Sequence, residues 1–149
     1  MCSSDLAAVT LRDAGASPIK FMLLHYGVYS SDNTTPSWVM HGAGALTAAQ
    51  MDWIWATYLN SPAEKADVRV VPLLAPMSGL PPAHLVVGDL DPLQDDSRAL
   101  AARLAEVGVA HTLNVYEGLP HGFIRSGSYS ATVRRAVDDG AAALARALG

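Results

Sequence analysis

The residues able to do chemistry in this chain fall in two loops. Residues 83–97 read A-H-L-V-V-G-D-L-D-P-L-Q-D-D-S: a short apolar run that stops at Gly88, a turn carrying Asp89 and Asp91, and the start of a helix. Residues 117–123 read E-G-L-P-H-G-F and carry His121. A carboxylate that holds an imidazole fixes its tautomer and stabilises the imidazolium formed on proton transfer, so Asp91 and His121 together would make an acid–base pair able to activate a hydroxyl nucleophile. Asp89 is the nearest rival to Asp91. Asp95 and Asp96 fit the first turn of a helix, where the macrodipole favours negative charge.

The other reactive side chains offer less. Cys2 is the only cysteine, which excludes an intramolecular disulfide and a thiolate metal site. The five histidines, at 25, 41, 84, 111 and 121, show no His-x-x-x-His spacing, so no metal and no other cofactor is expected. His25 lies inside an apolar run and reads as a core histidine.

For the two loops to meet, they must leave neighbouring parallel strands at the same edge of a sheet, where open α/β folds collect their functional groups. The patterning around them supplies this. Residues 83–87 form a strand, and 94–107 a helix capped by Gly108, with Leu100, Ala101, Leu104 and Ala105 as its buried stripe. Residues 111–116 alternate as a strand, with Leu113 and Val115 on one face. Residues 131–148 form a helix that packs Val133, Ala136, Val137, Gly140, Leu144 and Leu148. Strand, helix, strand, helix implies parallel pairing with right-handed crossovers.

Upstream, residues 6–14 read as a helix ended by Gly15, and 19–28 as a strand covered on both faces. Residues 29–46 are polar and Gly-rich, a long connection of the kind that serves as a lid or binding loop. Thr47 and Gln50 fit a capping box. Met51, Ile54, Trp55, Tyr58 and Leu59 then share one helical face, either as core or, for a large ring such as Trp55, as the wall of an apolar ligand pocket. Pro62 opens a brief helical turn, and the proline-rich stretch from 68 to 82 reads as an extended crossing segment.

Composition narrows the class. Half of the 149 residues are hydrophobic, 16% are charged and 7% aromatic, which describes one globular domain. A net charge of -4 with no run of Lys or Arg argues against a nucleic-acid partner. No apolar run approaches the ~18 residues that cross a bilayer, and no signal peptide opens the chain, so a cytoplasmic setting is expected.

Five stretches carry a family likeness: L-P-P-A at 80–83, Asp-Pro-Leu at 91–93 with Asp95 and Asp96 behind it, A-E-V-G-V at 105–109, residues 116–123 with their His-Gly-Phe, and L-T-A-A-Q-M-D-W-I-W-A-T-Y-L at 46–59. In this order they resemble the hormone-sensitive-lipase-like esterases of the α/β-hydrolase fold. The resemblance implies an α/β fold, the C-terminal half of an α/β-hydrolase, with about three parallel strands, flanking helices and a partial cap or lid at 29–60. It implies that Asp91, directly before Pro-Leu, is the acid and His121 the base of a Ser–Asp–His triad cleaving a small-molecule carboxylic ester. Trp55 and Phe123 are the expected substrate-binding residues. Two of the family's parts are missing: no serine stands in Gly-x-Ser-x-Gly, and no His-Gly-Gly-Gly stretch is present to supply an oxyanion hole. The polypeptide is therefore expected to be inactive as written while its parent hydrolyses esters, and its first strand to present an open, aggregation-prone edge. Residues 1–6 resemble the translation of a sequencing-adapter end and are expected to be non-native, with the α/β-hydrolase part over 7–149. The rival readings are a non-catalytic small-molecule binding module and a peptidase or amidase of the same fold.

Overall fold

The computed structural model describes residues 3–15, 18–126 and 130–149. Three parallel strands, β1 (Met22–His25), β2 (Ala83–Leu90) and β3 (His111–Pro120), form one sheet in the order β1-β2-β3. Side chains alternate across it. Met22, Leu24, Ala83 and Leu85 meet Ala8 and Val9 of α1 (Ser3–Asp13) and Leu100, Ala101 and Leu104 of α4 (Gln94–Glu106). On the other face Val86, Tyr116 and Leu119 meet Val133 and Ala136 of α5 (Ala131–Leu148). Burial of each large apolar side chain is worth about 1.5–3 kcal/mol. β2, flanked on both sides and covered on both faces, is buried from Ala83 to Gly88.

Several local expectations hold for stated physical reasons. Gly15 and Gly108 follow α1 and α4 at φ of 70° and 71°, the left-handed conformation that ends a helix. Thr47 and Gln50 close a reciprocal box at the start of α3 (Ala48–Tyr58): Thr47 Oγ1 accepts from the Gln50 N–H at 3.1 Å, and Gln50 Oε1 accepts from the Thr47 N–H at 2.8 Å. Pro62 and Pro72 each open a short 3₁₀ turn, and no strand forms between residues 68 and 82. Arg12 donates to the carbonyls of Pro76 and Ser78, and Arg103 to those of Leu73 and Ala75, which fastens this crossing segment to α1 and α4.

Elsewhere the fold departs from the pattern. β1 is shorter than the apolar run 19–28 because Tyr26 turns out of the strand at φ 37°. β2 does not stop at Gly88 but continues through Asp89 to Leu90, and β3 runs on through residues 117–120, which read as a loop. Gly88 pairs with Tyr116 while Leu90 pairs with Pro120, so β3 carries extra residues in a bulge. Gly118 turns there at φ 74°, and its N–H donates to Asp89 Oδ1 at 2.7 Å.

Two stripes are also displaced. Ala105 is exposed, and α4 instead buries Asp96 and Ser97. On α5, Val137 and Leu148 are 42% and 57% exposed, and Ala143 joins Val133, Ala136 and Gly140 on the inner face. Small residues prevail there because the sheet comes close: a Cβ on Gly140 would stand 3.3 Å from a Leu23 methyl.

Residues 29–46 hold a short helix, α2 (Pro36–His41), with Pro36 in its first turn. Trp38, Leu46, Met51, Trp55 and Leu93 form a third apolar cluster, with Ile54 and Leu59 packed against it; Tyr58 is 53% exposed and lies off this face. Among the described residues no helix is long and apolar enough to cross a membrane.

Candidate active site

β2 and β3 deliver their last residues to the same edge of the sheet, and the bulge in β3 folds its end back over β2. Asp91 follows β2 directly and is fully buried. Its Oδ1 accepts the Leu93 N–H at 2.9 Å, which fixes the carboxylate plane. His121 follows β3 directly and presents Nδ1 to both carboxylate oxygens, at 3.0 Å to Oδ2 and 3.2 Å to Oδ1. With the proton on Nδ1, both contacts are donations to an anion, and Nε2 is left as the basic nitrogen on the far side of the ring. The imidazole is about one quarter exposed, so Asp91 is sealed while His121 remains reachable.

The two sequence-predicted residues therefore meet. Over residues 4–125 the chain matches the family model described as α/β hydrolase fold. The chain belongs to the α/β-hydrolase fold family. It is 35% identical over 119 residues to the ethyl acetate hydrolase of Pseudomonas putida, covering 78% of this chain and 37% of that protein. It is 46% identical over 70 residues to human hormone-sensitive lipase, covering 45% of this chain and 6% of the lipase. The solved structure of EstE1, a thermostable carboxylesterase cloned from a metagenomic library, superposes with a TM-score of 0.94 at 29% identity, covering 98% of this chain and 51% of EstE1. The chain thus spans less than half the length of the first two relatives and about half of EstE1.

The other three carboxylates of the 89–96 stretch of this α/β-hydrolase act as tethers. Asp89 is spent on the β3 bulge. Asp95 Oδ2 accepts the Ser37 N–H at 2.8 Å, and Ser37 Oγ donates to the Pro92 carbonyl at 2.7 Å. Asp96 Oδ2 accepts the N–H groups of Tyr29 and Ser30, both at 2.8 Å. The helix-dipole reading of Asp95 and Asp96 is thus incomplete: their side chains hold the start of the 29–46 connection and the N-terminus of α2 against α4.

Burial of Asp96 pushes its carboxyl up to about 7, against the two N–H donors and with the nearby Asp91 and Asp95 charges adding to the rise. A carboxyl whose folded pKa lies above its unfolded value holds its proton in the folded state while the unfolded chain releases it. Stability from this group is then full below about pH 4 and is lost as pH rises towards 7, by at most ~1.4 kcal/mol per pH unit. Urea unfolding at pH 5 and pH 8 checks this: Asp96→Asn is expected to remove about one proton from the pH dependence.

The α/β-hydrolase places the two expected substrate-binding residues differently. Phe123 is 2% exposed, with its ring 5.2 Å from that of Tyr26. Trp55 is 3% exposed, packs in the cluster that contains Leu93, and borders a cavity of ≈ 310 Å³ with Leu59, Pro62 and Lys65. Lys65 Nζ stands 5.6 Å from the centre of the Trp55 ring. Neither His25 nor His84 is hydrogen-bonded to the pair: His84 is buried with Nδ1 2.6 Å from Thr112 Oγ1, the His25 ring lies 6.2 Å from that of Tyr26, and burial lowers the pKa of both.

Sequence reasoning missed Tyr26 and Ser37. The usable signal for Tyr26 was its place at the carboxyl edge, as the first residue past β1. Ser37 offered none, because its partners lie far along the chain.

Proposed function

We propose that Asp91 and His121 are the acid and base of a carboxylic ester hydrolase whose serine nucleophile and oxyanion-hole donors lie outside these 149 residues. The observation that carries this reading is a fully buried carboxylate with both oxygens on Nδ1 of a partly exposed imidazole, at the ends of adjacent parallel strands. In the reaction, Nε2 of His121 takes the proton of the serine hydroxyl as Oγ bonds to the ester carbonyl carbon. Asp91 stabilises the imidazolium, which returns the proton to the departing alcohol as the carbon–oxygen bond breaks. Water then repeats the sequence on the acyl-enzyme and releases the carboxylic acid.

Esterase relatives support the ester as substrate class over an amide. Phe123, beside Tyr26, and Trp55, in the apolar cluster with Leu93, are the substrate-binding residues of this reading. Residues 29–60, which pack on that cluster through Trp38, Leu46, Met51 and Trp55, act as the partial lid.

The polypeptide itself is expected to be inactive, since no serine here has an elbow to hold it. The purified chain is assayed with a short-chain aryl ester; turnover that disappears in His121→Ala would show that a nucleophile is present after all. The gene upstream of codon 6 is the complementary test. An in-frame Gly-x-Ser-x-Gly is the expected result, and a long frame without it sinks the triad assignment.

A further inference from the structure

Tyr26 is the first residue past β1 and, among the described residues, the only non-glycine with positive φ, at 37°. A bulky side chain in that conformation is strained, and such strain persists only where the surroundings over-determine it. Here they do. The Tyr26 N–H donates to the Val86 carbonyl at 2.7 Å, which keeps the residue in the sheet's hydrogen-bond pattern after the strand has ended. The turn carries the ring away from β1 and into the loop that follows β3. There it meets His121 edge-on, with centroids 4.9 Å apart and planes at 68°, and Phe123 in the same way at 5.2 Å and 66°. The Tyr26 hydroxyl is within reach of the Ile124 N–H and in the field of Asp91.

Asp91 grips only one edge of the imidazole. Two contacts on one nitrogen fix that atom but leave the ring able to swing about the Nδ1–carboxylate direction, moving Nε2 through an arc. An edge-to-face aromatic contact restrains that swing.

We propose that Tyr26 is a positioning residue for His121, its strained backbone placing the ring that holds the imidazole, and so Nε2, at one angle on Asp91. This rests on the reading of Asp91 and His121 as acid and base. Ring contact carries the role and the hydroxyl is dispensable.

The chain is labelled with 15N-histidine and its ring nitrogens are followed by long-range proton–nitrogen correlation. Wild-type His121 is expected to show a single tautomer with the proton on Nδ1, exchanging slowly. Tyr26→Leu keeps apolar volume but loses the ring; Tyr26→Gly also relieves the positive φ. Both are expected to speed exchange of the His121 Nδ1–H by about tenfold or more and to mix the tautomers, while Tyr26→Phe stays within about twofold of wild type. His84, hydrogen-bonded to Thr112, reports whether the fold is intact. Wild-type His121 signals in the leucine and glycine variants, with His84 unchanged, overturn the proposal. So does collapse of the His84 signals in both, since Tyr26 then serves the whole core. Asp91→Ala, which leaves no side-chain acceptor, is read in the same spectrum: a surviving slow Nδ1–H there defeats the acid–base reading itself, a result separate from the Tyr26 outcome.

Discussion

Gly88→Ala yields a chain that does not reach the native fold. A Cβ on Gly88 would stand 1.9 Å from the Leu119 carbonyl oxygen, 2.6 Å from its carbonyl carbon and 3.0 Å from its Cβ. Flexible side chains yield to such contacts; backbone in a paired strand does not. Both atoms nearest the new methyl are main chain, on the segment of β3 that folds back to bring His121 to Asp91, and β2 cannot retreat because its neighbours Val86 and Val87 are fully buried. Overpacking of a dense core costs about 1–3 kcal/mol where side chains can adjust, so a backbone clash should exceed ~3 kcal/mol, a large share of the 5–15 kcal/mol that holds a domain together. Soluble yield and urea midpoint measure the effect. Gly108→Ala is the control: it has open space at the new Cβ but φ of 71°, and should lose only about 1 kcal/mol. Equal midpoints for Gly88→Ala and wild type would remove the close approach of β3 from the account of the site.

Asp91→Ala is expected to cost about 2–4 kcal/mol, because it strands two donors at once. The Leu93 N–H loses its acceptor in a buried position, and His121 Nδ1 loses both oxygens. Part of that loss belongs to the Asp91–His121 contact and part to the turn that starts α4. A double-mutant cycle with His121→Ala separates them, and a coupling energy near 1 kcal/mol or above is expected for residues in direct contact. Strict additivity would mean that the carboxylate serves the turn alone.

Much of this architecture was legible because its signals are local. α4 and α5 lie where apolar period and capping residues put them, the Thr47–Gln50 box closes as written, and Asp91 and His121 meet because two parallel strands end beside each other. What stayed hidden depends on distant partners. α2 has six residues in a polar stretch, too few to be helical unaided; Ser37 is held by Asp95 and Pro92. Gly88 reads as a stop in a sequence, yet its missing side chain is what lets the β3 bulge close over a strand that continues. Asp95 and Asp96 look like generic helix-start charges until the connection they tether is seen. On α5, the inner face runs through Val133, Ala136, Gly140 and Ala143 and leaves Val137 and Leu148 exposed; the close approach of the sheet at Gly140, which favours small residues on that face, is not visible in an apolar period.

The start of α4 has a consequence for how this chain tolerates changes in length. Asp91, Asp95 and Asp96 reach three separate segments: the β3 end, the first turn of α2, and the residues just past β1. Their spacing is set partly by helical rise and rotation, and one residue added between Pro92 and Asp95 would turn Asp95 and Asp96 by about 100° relative to Asp91. No single loop could compensate, since each tether points elsewhere. Homologous sequences should therefore differ in length within residues 38–46 and 60–70 but keep the interval from 91 to 96 free of insertions and deletions.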